Sequence, residues 1–155
     1  MDNESQEMYL RTIYEFEEDG KYARVTDLST KLKVAPASVT EMVGKLVKKG
    51  LVNHKAYGGI TLTKKGKKGG ERLIRKFRLL GCFLREYLGI TNCLHDACRL
   101  EHVFSDEAEC RLCVLMGHPT RCPNGTVIPK CNSSRPCSEC MRIMRRKIRP
   151  LKKKK

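Results

Sequence analysis

Three side chains able to bind a divalent metal stand together in Cys98-Arg99-Leu100-Glu101-His102. Their spacing of i, i+3 and i+4 puts a thiol, a carboxylate and an imidazole on one face of an α-helix. One or two further donors would close a mixed sulfur, oxygen and nitrogen shell. The competing reading is structural, since Glu-His pairs occur on solvated helix faces and an isolated cysteine is most often a buried apolar side chain. His54, His95, His102 and His118 are scattered, and neither a nucleophile motif nor a phosphate-binding loop accompanies them. The chemistry on offer is therefore binding, with neither an enzyme nor a small-molecule substrate expected.

A second set of donors lies toward the C-terminus. Cys122, Cys131, Cys137 and Cys140 follow one another at spacings x8, x5 and x2, which suits a four-thiolate structural Zn(II) knuckle. Alternatively, Cys137 and Cys140 pair with Cys110 and Cys113, giving two CxxC steps with 23 residues between them. A third reading is a basic tail with exposed thiols. Nine cysteines, an odd number, argue for metal ligands, redox thiols or buried thiols rather than a disulfide framework. No secretory signal follows the acidic start, so a cytoplasmic setting is expected.

The elements that must position these groups sit in a chain of 155 residues, enough for one ordinary domain or two small ones. The formal charge of +15 is uneven: residues 1–20 carry seven acids against Arg11, so +21 rests on the other 135 residues. From Met141 onward there are nine Lys or Arg and no acid. A polyanionic partner follows, and without a membrane-length apolar run or lipidation motif, nucleic acid is preferred over a membrane surface.

Periodicity predicts a first helix over Glu4–Glu18 with Leu10, Ile13, Tyr14 and Phe16 inward. Thr26 is expected to cap a second helix carrying Leu28 and Leu32. After Pro36, the apolar positions Val39, Met42, Val43, Leu46 and Val47 mark a third helix that stops at Gly50. The period then changes to two, with Gly58-Gly59 turning a β-hairpin that ends at Ile60-Thr61-Leu62-Thr63. Helix, helix-turn-helix and wing make a winged-helix unit that binds double-stranded DNA. Its recognition helix, about Ala37–Lys49, offers Ala37, Ser38, Thr40 and Glu41 on its first turns and Lys45 and Lys48 later, with Lys55 on the wing.

A long helix begins at Thr63, basic through Lys64, Lys65, Lys67, Lys68, Arg72, Arg75, Lys76 and Arg78, then apolar until Gly89. Its charge is expected near DNA and its apolar end in an interface. A helix over about Asn92–Phe104 carries the opening motif, and Ser105-Asp106-Glu107 caps another that ends near Met116-Gly117. The fold class is mainly α: a winged helix-turn-helix (1–63), a helical metal-binding and dimerisation domain (64–129) and a Cys-containing basic tail (130–155).

These residues also carry a family likeness. Glu7 to Glu15, Ala37-Ser38-Val39-Thr40, Gly50-Leu51-Val52, Ala97 to Val103 and Ser105-Asp106-Glu107 resemble, in consistent order over residues 5–129, the iron-dependent repressors of the diphtheria-toxin-repressor type and their manganese-sensing relatives. The resemblance implies a homodimeric regulator controlling metal-homeostasis genes, a repressor that takes Fe(II) or Mn(II) as corepressor. It carries the regulatory ligands onto Met8, Cys98, Glu101 and His102. Two positions of the family's ancillary site fall on Phe77 and Gly81, leaving only His95, so a second site of the usual kind is not expected. Glu41 stands where members often carry Gln, and a Glu accepts from a cytosine amine rather than pairing adenine. Longer members continue into an SH3-like domain, for which the residues after Pro129 are too few. Two other classes compete: a thiol or iron-sulfur redox sensor on the same scaffold, and a zinc-organised nucleic-acid-binding adaptor.

Overall fold

The computed structural model describes residues 2–55 and 59–131, and these divide within one long helix into two compact units, the first ending at Leu73 and the second beginning at Ile74. The first unit is built from α1 (Asp2–Glu18), α2 (Val25–Leu32), α3 (Pro36–Lys48), β1 (Val52–Lys55) and β2 (Gly59–Leu62). Leu10, Ile13, Leu28, Val39, Val43, Leu46, Val52 and Ile60 form its core, with Phe16, Leu32 and Met42 partly buried against it, while Val47, expected on the inner face of α3, lies at the edge of that stripe and is exposed.

Local chemistry sets the ends of these elements. Thr26 is not the cap of α2: the helix already includes Val25, and Arg24 stands at the N-cap, its backbone N–H donating to the Asp27 carboxylate at 2.9 Å. An acid three residues into a helix satisfies an end N–H and faces the positive end of the dipole, which a hydroxyl does less well. Pro36 opens α3 with its φ already set. Gly50, at φ +65°, closes it, with the Leu51 N–H donating to the Leu46 carbonyl at 3.0 Å. β1 and β2 pair antiparallel, Val52 with Leu62 and Lys55 with Gly59. Of the hairpin turn, residues 56–58, Gly58 among them, lie outside the described residues. β2 is anchored by the Ile60 N–H on the Ala23 carbonyl (2.8 Å) and the Leu62 N–H on Glu17 Oε1 (2.6 Å).

The long helix α4 (Lys64–Cys82) starts behind Thr63, whose hydroxyl donates to the Gly50 carbonyl and accepts from the Gly66 N–H. At Gly66 an added Cβ would sit 1.9 Å from the Leu51 carbonyl oxygen, and at Gly70 it would sit 2.9 Å from Tyr14 Cβ. Only glycine lets α4 lie this close to the rest of the first unit.

In the second unit, α4 runs on into a single π-helical turn (Phe83–Tyr87), followed by α5 (Cys93–Leu100) and α6 (Asp106–Leu115). Leu79, Leu80, Cys82, Cys93, Ala97, Leu112, Cys113 and Ile128 make its core. Ser105 caps α6 as its position suggests, its Oγ accepting from the Ala108 N–H at 3.1 Å. Regular helix in α5 stops at Leu100 rather than near Phe104, so Glu101 is its C-cap and His102 lies in the turn after it. No helix among the described residues is long and apolar enough to cross a membrane.

Candidate metal centre

α5 buries Cys93 and Ala97, one turn apart, and this fixes the rotation of the helix. The next turn continues the face, with the Glu101 N–H donating to the Ala97 carbonyl at 3.0 Å. Cys98, Glu101 and His102 thereby converge, with one ligand atom from each lying within 4.8 Å of the others. Among the described residues this is the three-donor group at such spacing. The Glu101 side chain is fully buried and that of His102 nearly so, with His102 Nε2 at 3.6 Å from Glu101 Oε1. Burying a carboxylate is costly unless a cation or strong donors face it. A divalent ion supplies that charge, and the thiol, carboxylate and imidazole fit one as a donor set.

The turn carrying His102 is held from α4. Lys76 Nζ donates to the Phe104 carbonyl at 2.7 Å and pairs with Asp106 at 3.0 Å. Arg75 Nε pairs with Glu109 at 2.5 Å, Arg75 Nη1 donates to the Pro129 carbonyl (2.6 Å), and Arg78 Nη1 donates to the Val127 carbonyl (2.6 Å). Arg75, Lys76 and Arg78 are all buried. The expectation that the cations of α4 lie near DNA is therefore corrected for these three, which hold α6 and the closing segment instead. Lys64, Lys65, Lys67, Lys68 and Arg72, by contrast, are exposed. Burial alone would lower the Arg75 pKa, but Cys113, Glu109 and Cys131 outweigh it and hold the group above the usual arginine value.

Other expected donors are placed as follows. Met8 lies half-buried on α1 in the first unit, and its carbonyl accepts from the Thr12 hydroxyl at 2.8 Å. Cys122 Sγ contacts Thr126 Oγ1 at 2.7 Å within a tight turn, and Cys131 is half-buried. Cys137 and Cys140 lie outside the described residues. His95 is exposed beside Asp96, and Phe77 packs on the second core. On α3, Ala37, Ser38, Thr40, Glu41 and Lys48 are exposed, as is Lys55 on β1. Thr40 Oγ1 donates to the Pro36 carbonyl at 3.0 Å, and Lys45 pairs with Glu41 at 3.0 Å. Lys49 reaches back to Gln6 Oε1 at 2.6 Å.

Models of two protein domains match the chain in succession: the iron dependent repressor N-terminal DNA binding domain over residues 2–60, and the iron dependent repressor metal binding and dimerisation domain over residues 63–130. The chain belongs to the iron-dependent repressor family. Within it, the chain is 38% identical over 117 residues to the HTH-type transcriptional regulator MJ0568 of Methanocaldococcus jannaschii, covering 74% of this chain and 94% of that one. It is 37% identical over 125 residues to the diphtheria toxin repressor of Corynebacterium diphtheriae, covering 79% of this chain and 55% of that one. It thus spans about half the length of that repressor. Among solved structures, the manganese regulator SloR superposes with a TM-score of 0.76 at 35% identity, over 83% of this chain and 60% of that one. The IdeR of T. acidophilum gives 0.71 at 30%, over 79% and 58%. Family membership carries a winged-helix domain and a metal-binding dimerisation domain onto the two units.

Three residues of the second unit escaped the sequence reading as supports of the segment around the centre: Arg75, Lys76 and Glu109. The first two were hidden in a run of like charges.

Proposed function

We propose that this chain is a homodimeric transcriptional repressor of metal-homeostasis genes that binds a double-stranded DNA operator when Fe(II) occupies Cys98, Glu101 and His102, with Met8 as a further ligand. The observation that carries the reading is the convergence of those three donors, one of them a fully buried carboxylate, in a domain matched to metal binding and dimerisation. Cys98, Glu101 and His102, with Met8, would hold the ion, whose positive charge would balance the buried Glu101 carboxylate. Ser38, Thr40 and Glu41 on the exposed first turns of α3 support it as the element that reads bases, with Lys48, Lys55 and the start of α4 on phosphates. Glu41 is engaged by Lys45 at 3.0 Å, and a cytosine amine would compete with that cation for the carboxylate.

A thiolate and a thioether favour Fe(II) over Mn(II), which prefers oxygen donors. The test is anaerobic binding of the full chain to DNA selected from a random pool, titrated with Fe(II), Mn(II) and Zn(II). Fe(II) is expected to tighten binding by about 5–150-fold, the usual range for coupling between sites. His102→Ala should abolish the activation while metal-free binding to random DNA persists. Met8→Asp should move the preference toward Mn(II). Equal affinity with and without metal, or a His102→Ala chain that responds normally, would sink the reading.

A further inference from the structure

α3 contains a glycine that the packing of its own unit does not call for. Gly44 sits mid-helix in an ordinary right-handed conformation, is exposed, and would have nothing within 4 Å of an added Cβ. Inside a helix glycine is less favourable than every residue except proline. At Gly66 and Gly70 close packing explains the residue, because a Cβ there would meet the Leu51 carbonyl or Tyr14. At Gly44 nothing among the described residues does, so the reason for leaving that position bare is sought outside the chain.

The neighbours of Gly44 define a shape. Val39, Val43 and Leu46 face the core, and Gly44 lies on the other side of α3 with Thr40 four residues before it and Glu41 three before it. A side chain at position 44 would lean toward the helix N-terminus and cover the surface between those two. Glycine leaves the backbone there uncovered. Thr40 turns its hydroxyl onto its own helix, Oγ1 donating to the Pro36 carbonyl at 3.0 Å, so its polar group is already engaged. Glu41 is drawn along the helix to Lys45, at 3.0 Å, on the flank away from Thr40. Between them lies a shallow notch with a glycine floor.

The segment lies within residues 2–60, matched to a DNA binding domain, and Lys48 stands exposed one turn beyond Gly44 on the same face. In the major groove thymine alone presents a methyl group, on C5 beside its O4 acceptor. A notch whose polar neighbours are engaged takes a methyl group, whereas cytosine carries only a hydrogen at the same carbon and leaves the notch unfilled. We propose that Gly44 is a specificity-determining residue whose bare backbone, between Thr40 and the Glu41–Lys45 pair, receives the 5-methyl group of a thymine in the major groove. The contact rests on α3 entering that groove, as in the function proposed for the chain, and adds to it a particular base and atom.

The test uses the full chain, anaerobic and saturated with Fe(II), on DNA that it selects from a random pool. Each thymine is replaced in turn by deoxyuridine, which removes the 5-methyl group and nothing else. At one thymine per half-site the replacement is expected to weaken binding about fourfold, the worth of one buried methyl group. Gly44→Leu fills the notch with a good helix former; it should weaken the selected site by about tenfold or more and bind thymine and deoxyuridine at that position equally. Its urea unfolding should come at no lower concentration than that of the parent chain, which separates the loss from a folding defect, and the deoxyuridine scan of the parent chain depends on no variant at all. Lys48→Ala reports whether α3 meets DNA, and should weaken selected and random DNA about equally. Deoxyuridine tolerated at every thymine, or a folded Gly44→Leu chain that keeps its affinity or its preference for thymine at that position, would overturn the notch. If Lys48→Ala shows its loss in the same experiment, the notch alone falls; if Lys48→Ala also binds normally, α3 is not the reading element and both readings fall.

Discussion

The two halves of α4 treat the same kind of residue in opposite ways. From Lys64 to Arg72 its cations are exposed and the helix touches its unit through glycine, with Gly66 and Gly70 against backbone and Tyr14. From Ile74 to Cys82 its cations are buried and each has a named acceptor, Arg75 on Glu109, Lys76 on Asp106 and Arg78 on the Val127 carbonyl. The difference teaches that a basic run does not have one meaning along a helix. Exposed cations face the solvent from which phosphates approach, whereas buried ones cannot leave their partners without stranding a charge. In the sensing unit they fix the position of α6 and of the turn that carries His102.

The sharpest way to break this contrast is to remove one member of the buried pair. Arg75→Ala leaves the Glu109 carboxylate buried without its guanidinium, and urea unfolding of the full chain should register a loss of about 3–5 kcal/mol. A loss below about 1 kcal/mol would make Arg75 another surface cation in effect. Next in size is the glycine contact. Gly66→Ala places Cβ against the Leu51 carbonyl and should cost about 1–3 kcal/mol, whereas Gly44→Ala on α3, where nothing lies within 4 Å, should stabilise by about 0.5–1 kcal/mol. Thermal or urea unfolding of the two variants side by side checks the sign as well as the size. Ser105→Ala removes the cap of α6 and should cost about 1 kcal/mol, measured in the same way.

The smallest stability effect belongs to the exposed half. Lys64→Ala should change unfolding by no more than about 0.5 kcal/mol, yet lower the slope of log affinity against log salt on any DNA by roughly 1. A truncation after residue 140 should lower that slope further, about equally on selected and random DNA. An unchanged slope in both would remove these cations from the phosphate-binding surface. Ser38→Ala completes the comparison, since it should alter sequence preference at one position by about 1–3 kcal/mol while leaving binding to random DNA nearly constant.

Much of the architecture was legible in the residue order because it is local. Apolar spacing marked the inner faces of α1 and α3, Pro36 and Gly50 marked the ends of α3, and Ser105 marked the start of α6. Cys98, Glu101 and His102 were legible as a group for the same reason, since three donors on adjacent turns meet whatever the rest of the chain does. The cap of α2 was misread because the helix begins one residue earlier, at Val25, so the N-cap falls on Arg24 and the Asp27 carboxylate at the third helical position accepts from its N–H.

What only the tertiary structure decided are the contacts between residues distant in sequence. Lys76 and Phe104, Arg75 and Pro129, and Arg78 and Val127 stand 28, 54 and 49 residues apart, and no period in the chain pairs them. Charge counted along a sequence says how many cations there are, but burial depends on which helix packs over them. His118 is the mixed case. Its place after Gly117 was written in the sequence, while its approach to Cys113 depends on two consecutive left-handed residues, a backbone choice that packing against α6 makes affordable and that composition does not reveal.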